Sequence, residues 1–433
     1  MALSTEQRPW RLMFRAFRYR NYRLFFGGQG ISLIGTWMQR IAIGWLVYRL
    51  TQSPAMLGLA GFFSQFPTFV LAPFAGVMAD KFDRHKIMVI AQVLAMLQAV
   101  VLAALIFTNT ITVWWVVALT AVLALVNAFD IPARQSFIVE MVEDKKDLGN
   151  AIALNSAMFN SARLIGPSIA GVIIAAVGEG LCFTLNAVSS LAVIAALLAM
   201  KLAPRSAARS QQNVFQELKM GFNYAFGSVP IRSTLILLAI VSLVGMPYTI
   251  LMPVMAQDIL HGGAKTLGLL MAAVGVGALA GAGFLASRKD ARGLEKMIPM
   301  SAAVFGAGVI VFSLSTSIFL SMAMLAITGF GMMASMATSN TVLQTVVDDD
   351  KRGRVMSFFA MAFMGMAPLG SLLGGWSADM IGAPKTLLVS GVICIAASFL
   401  FARELMLIGP ILASIKRRLG IPPMVPRYPT PPE

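Results

Sequence analysis

The chain has 433 residues, of which 58% are hydrophobic and only 12% charged, and its formal net charge is +15. A water-soluble domain with a single core does not need so much apolar surface, so the composition excludes that class and predicts that the membrane is the solvent of this chain. The excess of basic residues suggests nucleic acid as a partner. Whether this interpretation holds depends on where the charges lie.

Runs of about 20 apolar residues, the length that crosses a hydrocarbon core as a helix, recur roughly twelve times. Backbone in lipid must satisfy its own hydrogen bonds, and the runs lack the alternation of barrel strands, so all are predicted to be α-helices. The predicted fold class is an all-α integral membrane protein with 12 transmembrane helices. The predicted spans are 24–48, 55–78, 87–108, 112–131, 150–175, 180–200, 233–257, 266–287, 297–316, 318–345, 355–378 and 386–402.

A polar segment separates six spans from six. The predicted organisation is a basic amphipathic amino-terminal segment (1–23), a first six-helix bundle (24–202), a linker (203–230), a second six-helix bundle (231–403) and a basic, proline-rich tail (404–433). The composition of the tail predicts disorder. The amino-terminal arginines lead into a 25-residue span, which is not typical of a signal peptide.

Lysine and arginine are concentrated in the amino-terminal segment and in the loops on its side of the membrane. The loops on the opposite side contain only Arg49, Lys265 and Lys385. The positive-inside rule therefore predicts a multi-pass protein with both termini in the cytoplasm. The charge is explained by topology, so nucleic acid is not an expected partner, whereas membrane lipid is.

The loop after the second span contains glycine, acidic and basic residues over 76–86, which we call the cytoplasmic motif. A related basic loop, 282–292, follows the eighth span. This internal repeat divides the chain into two related halves. Gly76 is predicted to permit close helix approach, and Asp80, at the negative end of its helix, needs a cation as partner. Arg352 and Arg354, before the eleventh span, are the candidates. Alternatively, the charges of this loop only set topology.

Six spans, a linker, six spans and a G-x-x-x-D-R-x-G-R-R-like motif after spans two and eight resemble the major facilitator superfamily. Further segments are similar to bacterial exporters that include siderophore (enterobactin-type) and macrolide efflux proteins. These segments are Asn21-Tyr-Arg-Leu-Phe, Asp130-Ile-Pro-Ala-Arg134-Gln, Asn155-Ser-Ala, Arg163-Leu-Ile-Gly166-Pro167, and Asn340-Thr-Val-Leu-Gln344 with Arg352-Gly-Arg354.

The resemblance implies that the motif holds a cytoplasmic gate shut between the halves. The implied gate residues are Gly76, Asp80, Lys81, Asp83, Arg84, Arg352 and Arg354. The chain departs from the pattern, because Asp83 replaces a glycine, Lys81 an arginine and His85 another basic residue. In this superfamily a Gly-Pro run on the fifth span, here Gly166-Pro167 with Gly171, accompanies exporters. The preceding glycines of that run are replaced here by Met158 and Ala162.

Only Arg40, Asp130 and Arg163 are charged inside the predicted spans. An arginine at the bilayer centre costs about 2.5–3.5 kcal/mol on insertion scales, so both arginines are predicted to face a wet cavity or a partner. Structural anchoring is the alternative. Helical spacing places them on two polar surfaces that we expect to line a pathway. These surfaces consist of Gln29, Ser32, Thr36, Gln39 and Arg40 on the first span and Asn155, Asn160 and Arg163 on the fifth.

Asp130 is the only acidic side chain within the predicted spans, which makes it the candidate proton-coupling site. The alternative is a pair with Arg134 at the helix end. In the methionine-rich second half, Tyr248, Met332 and Met336 are predicted to form an adaptable apolar wall, although methionine stripes also arise from ordinary packing. Gly277 and Gly281 on the eighth span are predicted to support a tight seam between the halves, with ordinary packing as the alternative.

The predicted function is secondary transport by alternating access: export of an amphiphilic, anionic or carbonyl-rich small molecule, of siderophore or antibiotic class, in exchange for protons. The protein is expected to be a monomer in the bacterial inner membrane. No enzymatic, cofactor or metal motif appears in the sequence, so a proton gradient is the expected energy source. The alternatives are a lipid or lysophospholipid flippase and a non-transporting membrane sensor or scaffold.

Overall fold

A computed structural model of the chain describes residues 14–201, 214–288, 293–348 and 351–418, and the regular structure of these residues is helical. The first half contains a 3-10 turn (Arg15–Arg18) and helices α1 (Arg20–Thr51), α2 (Pro54–Phe63), α3 (Phe66–Lys81), α4 (Arg84–Phe107), α5 (Val113–Met141), α6 (Lys145–Val177) and α7 (Glu179–Leu198). The remainder contains α8 (Val214–Gly227), α9 (Val229–Ile240), α10 (Met252–Val254), α11 (Gly263–Ala286), α12 (Leu294–Leu314), α13 (Ile318–Val346), α14 (Arg352–Ala360), α15 (Met366–Ile381) and α16 (Ala383–Arg418).

Eleven helical stretches of the described chain are long and apolar enough to cross a membrane, which confirms the all-α membrane class. They coincide with the second to twelfth predicted spans. The first predicted span lies in α1, a continuous helix of 32 residues that contains the polar stripe. A count of twelve membrane-crossing helices therefore stays a prediction.

Local sequence signals set several helix ends. The Asp83 carboxylate caps α4 by accepting a hydrogen bond from the backbone N–H of His85, and Asp144 caps α6 in the same way. Gly178 ends α6 and Gly382 ends α15, each with φ of 86°, a conformation that favours glycine. These two helices occupy equivalent places in the two halves, so the repeat extends to their ends.

Both halves use the same packing scheme. In the first, α4 packs against α5 and α7, α3 packs against α5, and α1 packs against α6 and α7. In the second, α12 packs against α13 and α16, α11 packs against α13, and α9 packs against α16. Two further pairs, α6 with α11 and α2 with α15, join one half to the other.

The seventh span is not one α-helix. After α9 the chain forms a π-helical turn (Val241–Gly245), a 3-10 turn (Met246–Thr249), the short α10 and a second π-helical turn (Met255–Ile259). Pro247 and Pro253 lie in this segment, and proline lacks the N–H that a regular ladder needs. A third π-helical turn, 361–365, interrupts the eleventh span. The prediction of uniform α-helices is wrong for these two spans.

The helices alternate in direction, which defines two faces of the molecule. We call the face on which α1 begins the terminal face and the face on which it ends the distal face. The halves meet near the distal face through a glycine pair on α6 and α11. A Cβ added at Gly268 would lie 2.8 Å from the Cα of Gly171, so any larger residue would force the helices apart.

A second glycine pair joins α2 to α15, also near the distal face. A Cβ at Gly375 would lie 2.6 Å from both the Cα of Gly58 and the carbonyl oxygen of Pro54. The two pairs occupy equivalent places in the repeat. They bring the backbones of the two halves into direct contact on both sides of the molecule.

The predicted role of Gly277 and Gly281 is wrong. A Cβ at Gly277 would lie 1.8 Å from the carbonyl oxygen of Ala326, and one at Gly281 would lie 2.9 Å from that of Phe330, both on α13 of the same half. The physical reason is that small residues mark close approach without identifying the partner helix. On α11 the inter-half contact is made by the separate face that contains Gly268.

The ends of the chain and the linker contain more helix than the sequence predicts. Helix α8 lies within the predicted linker, and α16 continues to Arg418, so the predicted disorder of the tail is wrong up to that residue. Residues 1–13, 202–213 and 419–433, which complete these segments, lie outside the described residues. Cys182 and Cys394 are free and buried.

Gly268→Ala should destabilise the inter-half seam, because overpacking typically costs about 1–3 kcal/mol. The matched control is Gly283→Ala on the same helix, where an added Cβ would have no atom within 4 Å. Thermal unfolding in detergent should show a lower midpoint for Gly268→Ala and an unchanged or higher one for the control, since alanine favours helix over glycine. Equal midpoints for the two variants would contradict the seam.

Candidate substrate cavity and gates

Two arginines from different helices approach one tryptophan. The guanidinium carbon of Arg40 lies 4.5 Å from the ring centroid of Trp37, and that of Arg163 lies 5.8 Å from the same centroid. The two cationic groups are therefore separated by no more than the sum of these distances. Cation–π attraction holds each guanidinium near the indole without neutralising its charge.

The close approach of α6 to α1 creates this arrangement. A Cβ at Gly166 would lie 2.5 Å from the Cβ of Trp37 and 3.0 Å from the carbonyl oxygen of Ile34, so only glycine fits. Arg163 lies about one helical turn before Gly166, which places it beside the same tryptophan. Gly166 thus packs the first half together, whereas the carbonyl oxygen of Pro167 and Gly171 both lie against Gly268 of the second half.

Within the described part of the chain, neither Arg40 nor Arg163 has an ion pair or a hydrogen bond. Arg40 is exposed and Arg163 is half-buried, whereas Trp37 is only 8% exposed. An exposed and a half-buried guanidinium with a buried ring between them are features expected of a cavity wall. The structure therefore brings the two predicted arginines together, and their role in substrate binding stays a prediction.

The rest of the first-span stripe has two different environments. Gln39 is buried, donates to the Oε1 of Gln98 at 2.8 Å and accepts from the Nδ2 of Asn186 at 2.7 Å. Gln29 and Ser32 are also buried, whereas Thr36 is exposed like Arg40. The stripe thus has one edge turned to α4 and α7 and one edge turned to accessible space.

The amide chain of Gln39, Gln98 and Asn186 was not visible in the sequence, because its members come from three separate spans. Amides in a membrane interior are retained when they satisfy one another, since each unpaired group is costly. The chain holds α1 against α4 and α7. It thereby fixes the rotation of α1 that directs the neighbouring Arg40 away from them.

The other predicted cavity residues do not form one wall. Asn155 is half-buried, and Asn160 donates a hydrogen bond to the carbonyl oxygen of Ser156 at 2.8 Å. Tyr248 is fully buried, with its hydroxyl 4.0 Å from the Sδ of Met332. Met336 packs elsewhere, against an apolar cluster near the terminal face that includes Leu343 and Phe359.

Asp130 and Arg134 form an ion pair on α5, with 3.0 Å between Oδ2 and Nη2. Asp130 is only 3% exposed, and its second oxygen, Oδ1, has no hydrogen-bond partner in the described structure. The pair matches the alternative raised from the sequence. The role of Asp130 in proton coupling stays a prediction.

The cytoplasmic motif is built differently from the sequence expectation. An added Cβ at Gly76 would have no atom of the described residues within 4 Å, so the predicted close helix approach there stays a prediction. Asp83, which replaces the usual glycine, stabilises the start of α4 as its cap. Arg84 forms an ion pair with Glu140 of α5, with 2.9 Å between Nη1 and Oε1, so it ties two helices of one half together.

The remaining gate residues are only partly described. Lys81 and Arg352 are exposed at the terminal face, and Arg354 packs on Gly221 of α8. The side chain of Asp80 lies outside the described residues. The proposed contact between Asp80 and the arginines thus stays a prediction.

At the distal face, two hydrogen bonds join the halves. The hydroxyl of Tyr48 donates to a carboxylate oxygen of Asp258, and the hydroxyl of Ser53 donates to the Oδ1 of Asp379 at 3.2 Å. Both acidic residues lie just beyond the predicted spans, so the sequence analysis overlooked them. An acidic residue at the end of an apolar run was the available signal. We refer to these two bonds as the distal latch.

The fold consists of two repeated helix bundles with a glycine seam, a latch at one face and two arginines without an ion pair among the described residues. These are the features of a transporter of the major facilitator superfamily. Residues 13–410 match the model of the transmembrane secretion effector family, and the chain belongs to that family.

The curated relatives include transporters of nearly the same length. The chain is 28% identical over 392 residues to the staphyloferrin A transporter of Staphylococcus aureus, covering 88% of this chain and 95% of the relative. It is 23% identical over 395 residues to macrolide efflux protein A of Streptococcus pyogenes, covering 88% and 96%.

Solved structures agree on the fold. A bacterial homologue of the human lysosomal transporter Spinster, in an inward-facing and occupied conformation, has a TM-score of 0.69 at 16% identity, covering 89% of this chain and 97% of that one. At this identity the likeness concerns the fold alone.

Tyr48→Phe should weaken the distal latch, because it removes the only polar group that Tyr48 offers to Asp258. A cysteine placed at Leu57, which is only 3% exposed near the distal face, should then react faster with a membrane-impermeant thiol reagent. Tyr22→Phe is the matched control, since the Tyr22 hydroxyl donates to the carbonyl oxygen of Ala151 within one half. Identical labelling rates in both variants would show that the Tyr48–Asp258 bond does not hold the halves together.

Proposed function

We propose that this protein is an exporter of amphiphilic small molecules in the bacterial plasma membrane, driven by exchange for protons. The observation that carries the proposal is the pair of arginines at Trp37, which belong to the first bundle and have no ion pair among the described residues. The contacts between the bundles described above lie near the distal face. The names of the relatives, a siderophore transporter and a macrolide efflux protein, support the same substrate classes.

The seam and the latch give the transport cycle its two states. With the distal face shut, substrate enters from the terminal face, which the positive-inside rule assigns to the cytoplasm. Substrate binding and proton exchange then shift the population toward a state with the distal face open. The latch consists of two hydrogen bonds and the seam of glycine contacts, so each opening breaks few polar interactions.

The proton step is assigned to Asp130. When its carboxylate is charged it pairs with Arg134, and its second oxygen remains available. Protonation would remove the attraction to Arg134 and leave a neutral carboxyl group in a buried site, which lowers the cost of burial. Asp130 is thereby suited to bind a proton in one state of the cycle and release it in the other.

Proteoliposomes with a pH-sensitive dye in the lumen test the proposal. A macrolide and staphyloferrin A serve as probes, and fluorescent lysophospholipid and empty liposomes serve as comparisons. Substrate-dependent proton movement together with substrate movement in the opposite direction is the expected result. Movement of the lysophospholipid alone would indicate a flippase, and movement of none of the probes would contradict the proposed exporter.

Asp130→Asn should abolish proton movement driven by substrate while leaving substrate binding intact, because asparagine cannot titrate. Glu140→Gln is the control on the same helix, since it also removes one carboxylate of an ion pair. The control should retain coupling. Normal proton flux in Asp130→Asn proteoliposomes would exclude Asp130 as the coupling site.

A further inference from the structure

The two arginines at Trp37 form a site of double positive charge. Their guanidinium groups flank one indole, and no carboxylate of the described residues pairs with either. Arg49, on the same helix as Arg40, shows the contrast, because its Nε lies 2.8 Å from the Oε1 of Glu179.

The site is also deep. Gly44, one turn after Arg40, faces the second half, because an added Cβ there would lie 3.7 Å from the Cγ of Pro253. Leu164, next to Arg163, also faces the second half, because a Cβ added at Gly275 would lie 3.1 Å from its Cα. The two guanidiniums therefore face space between the halves, where a ligand contacts both bundles.

Like charges that are held together in a medium of low dielectric constant repel one another and remain incompletely solvated. A carboxylate relieves both costs, because arginine offers paired donors that match two oxygen atoms. A ligand with one carboxylate leaves one arginine uncompensated, whereas a ligand with two carboxylates neutralises the site.

Trp37 sets the geometry of the two cations. Its ring packs edge-to-face against Phe159, with 5.7 Å between centroids, and Gly166 lets α6 press against its Cβ. An indole held in this way keeps both guanidiniums oriented before a ligand arrives, which reduces the entropy lost on binding. Trp37 is a positioning residue, and Arg40 and Arg163 are the groups that contact the ligand.

We propose that the Arg40–Trp37–Arg163 site selects substrates with two anionic oxygen groups, such as two carboxylates, attached to an apolar body. This inference rests on the proposed function, because it names the substrate class of the proposed cavity. The two carboxylates contact the guanidiniums, and the apolar body lies in the space toward the second half.

Equilibrium binding to the purified full-length protein tests the inference without any gradient. The probes are phenylsuccinate, 3-phenylpropanoate and 3-phenylpropylamine, which share an aromatic body and carry two, one and no carboxylates. Isothermal titration calorimetry in a neutral detergent near pH 7.5 should show phenylsuccinate binding at least about tenfold more tightly than 3-phenylpropanoate, which corresponds to about 1.4 kcal/mol. The amine should not bind.

Variants assign the discrimination to the two arginines. Arg40→Gln and Arg163→Gln should each reduce the affinity for phenylsuccinate to that for 3-phenylpropanoate, and Arg40→Lys should retain part of the preference. The control is Arg49→Gln on the same helix, which removes an arginine that already has a partner and should leave both affinities unchanged.

Equal affinities of the wild-type protein for the two carboxylic acids would overturn the inference, and this result needs no variant. Discrimination that persists in both Arg→Gln variants would overturn it as well. If phenylsuccinate binds as expected but no probe moves in proteoliposomes, the site stands and the proposed transport fails. If macrolide is exported but the acids bind equally, transport stands and the substrate class is wrong.

Discussion

A polar group inside a hydrocarbon layer needs a partner or water, and this constraint organises the whole molecule. Amides pair where α1, α4 and α7 meet, and Asp130 has Arg134 beside it. Arg40 and Arg163 are full charges with no ion pair within the described protein, so water or a ligand is needed to solvate them. This need is the basis of the proposed substrate site.

The same constraint shapes the contact between the halves. In the proposed cycle, a seam that opens and closes contains few buried polar groups, because each would be exposed to lipid or left unpaired during the movement. The described seam combines glycine backbones in van der Waals contact with apolar side chains of both halves that pack in one buried cluster. The hydrogen bonds of Tyr48 and Ser53 lie at its distal edge, where water can replace the lost partner.

Much of the fold is readable from the sequence, because span length, helix caps and repeated motifs are local properties. Asp83 and Asp144 are N-cap residues at the starts of α4 and α6, and the apolar runs coincide with the spans. Contacts between distant segments are not local. Gly277 and Gly268 look alike in sequence, yet one faces its own half and the other the opposite half. The periodicity of α1 groups Gln39 with Arg40, although only packing shows that one faces helices and the other accessible space.

In the proposed transporter, the polar edge of α1 faces a water-filled space that opens at one face only. The native cysteines are buried, so single cysteines report without background from them. Thr36→Cys, one turn before Arg40, should react with a membrane-impermeant thiol reagent applied from the terminal face. Leu97→Cys, exposed on the apolar outer surface of α4, should not. Failure of Thr36→Cys to react, or equal reaction at both positions, would contradict the account.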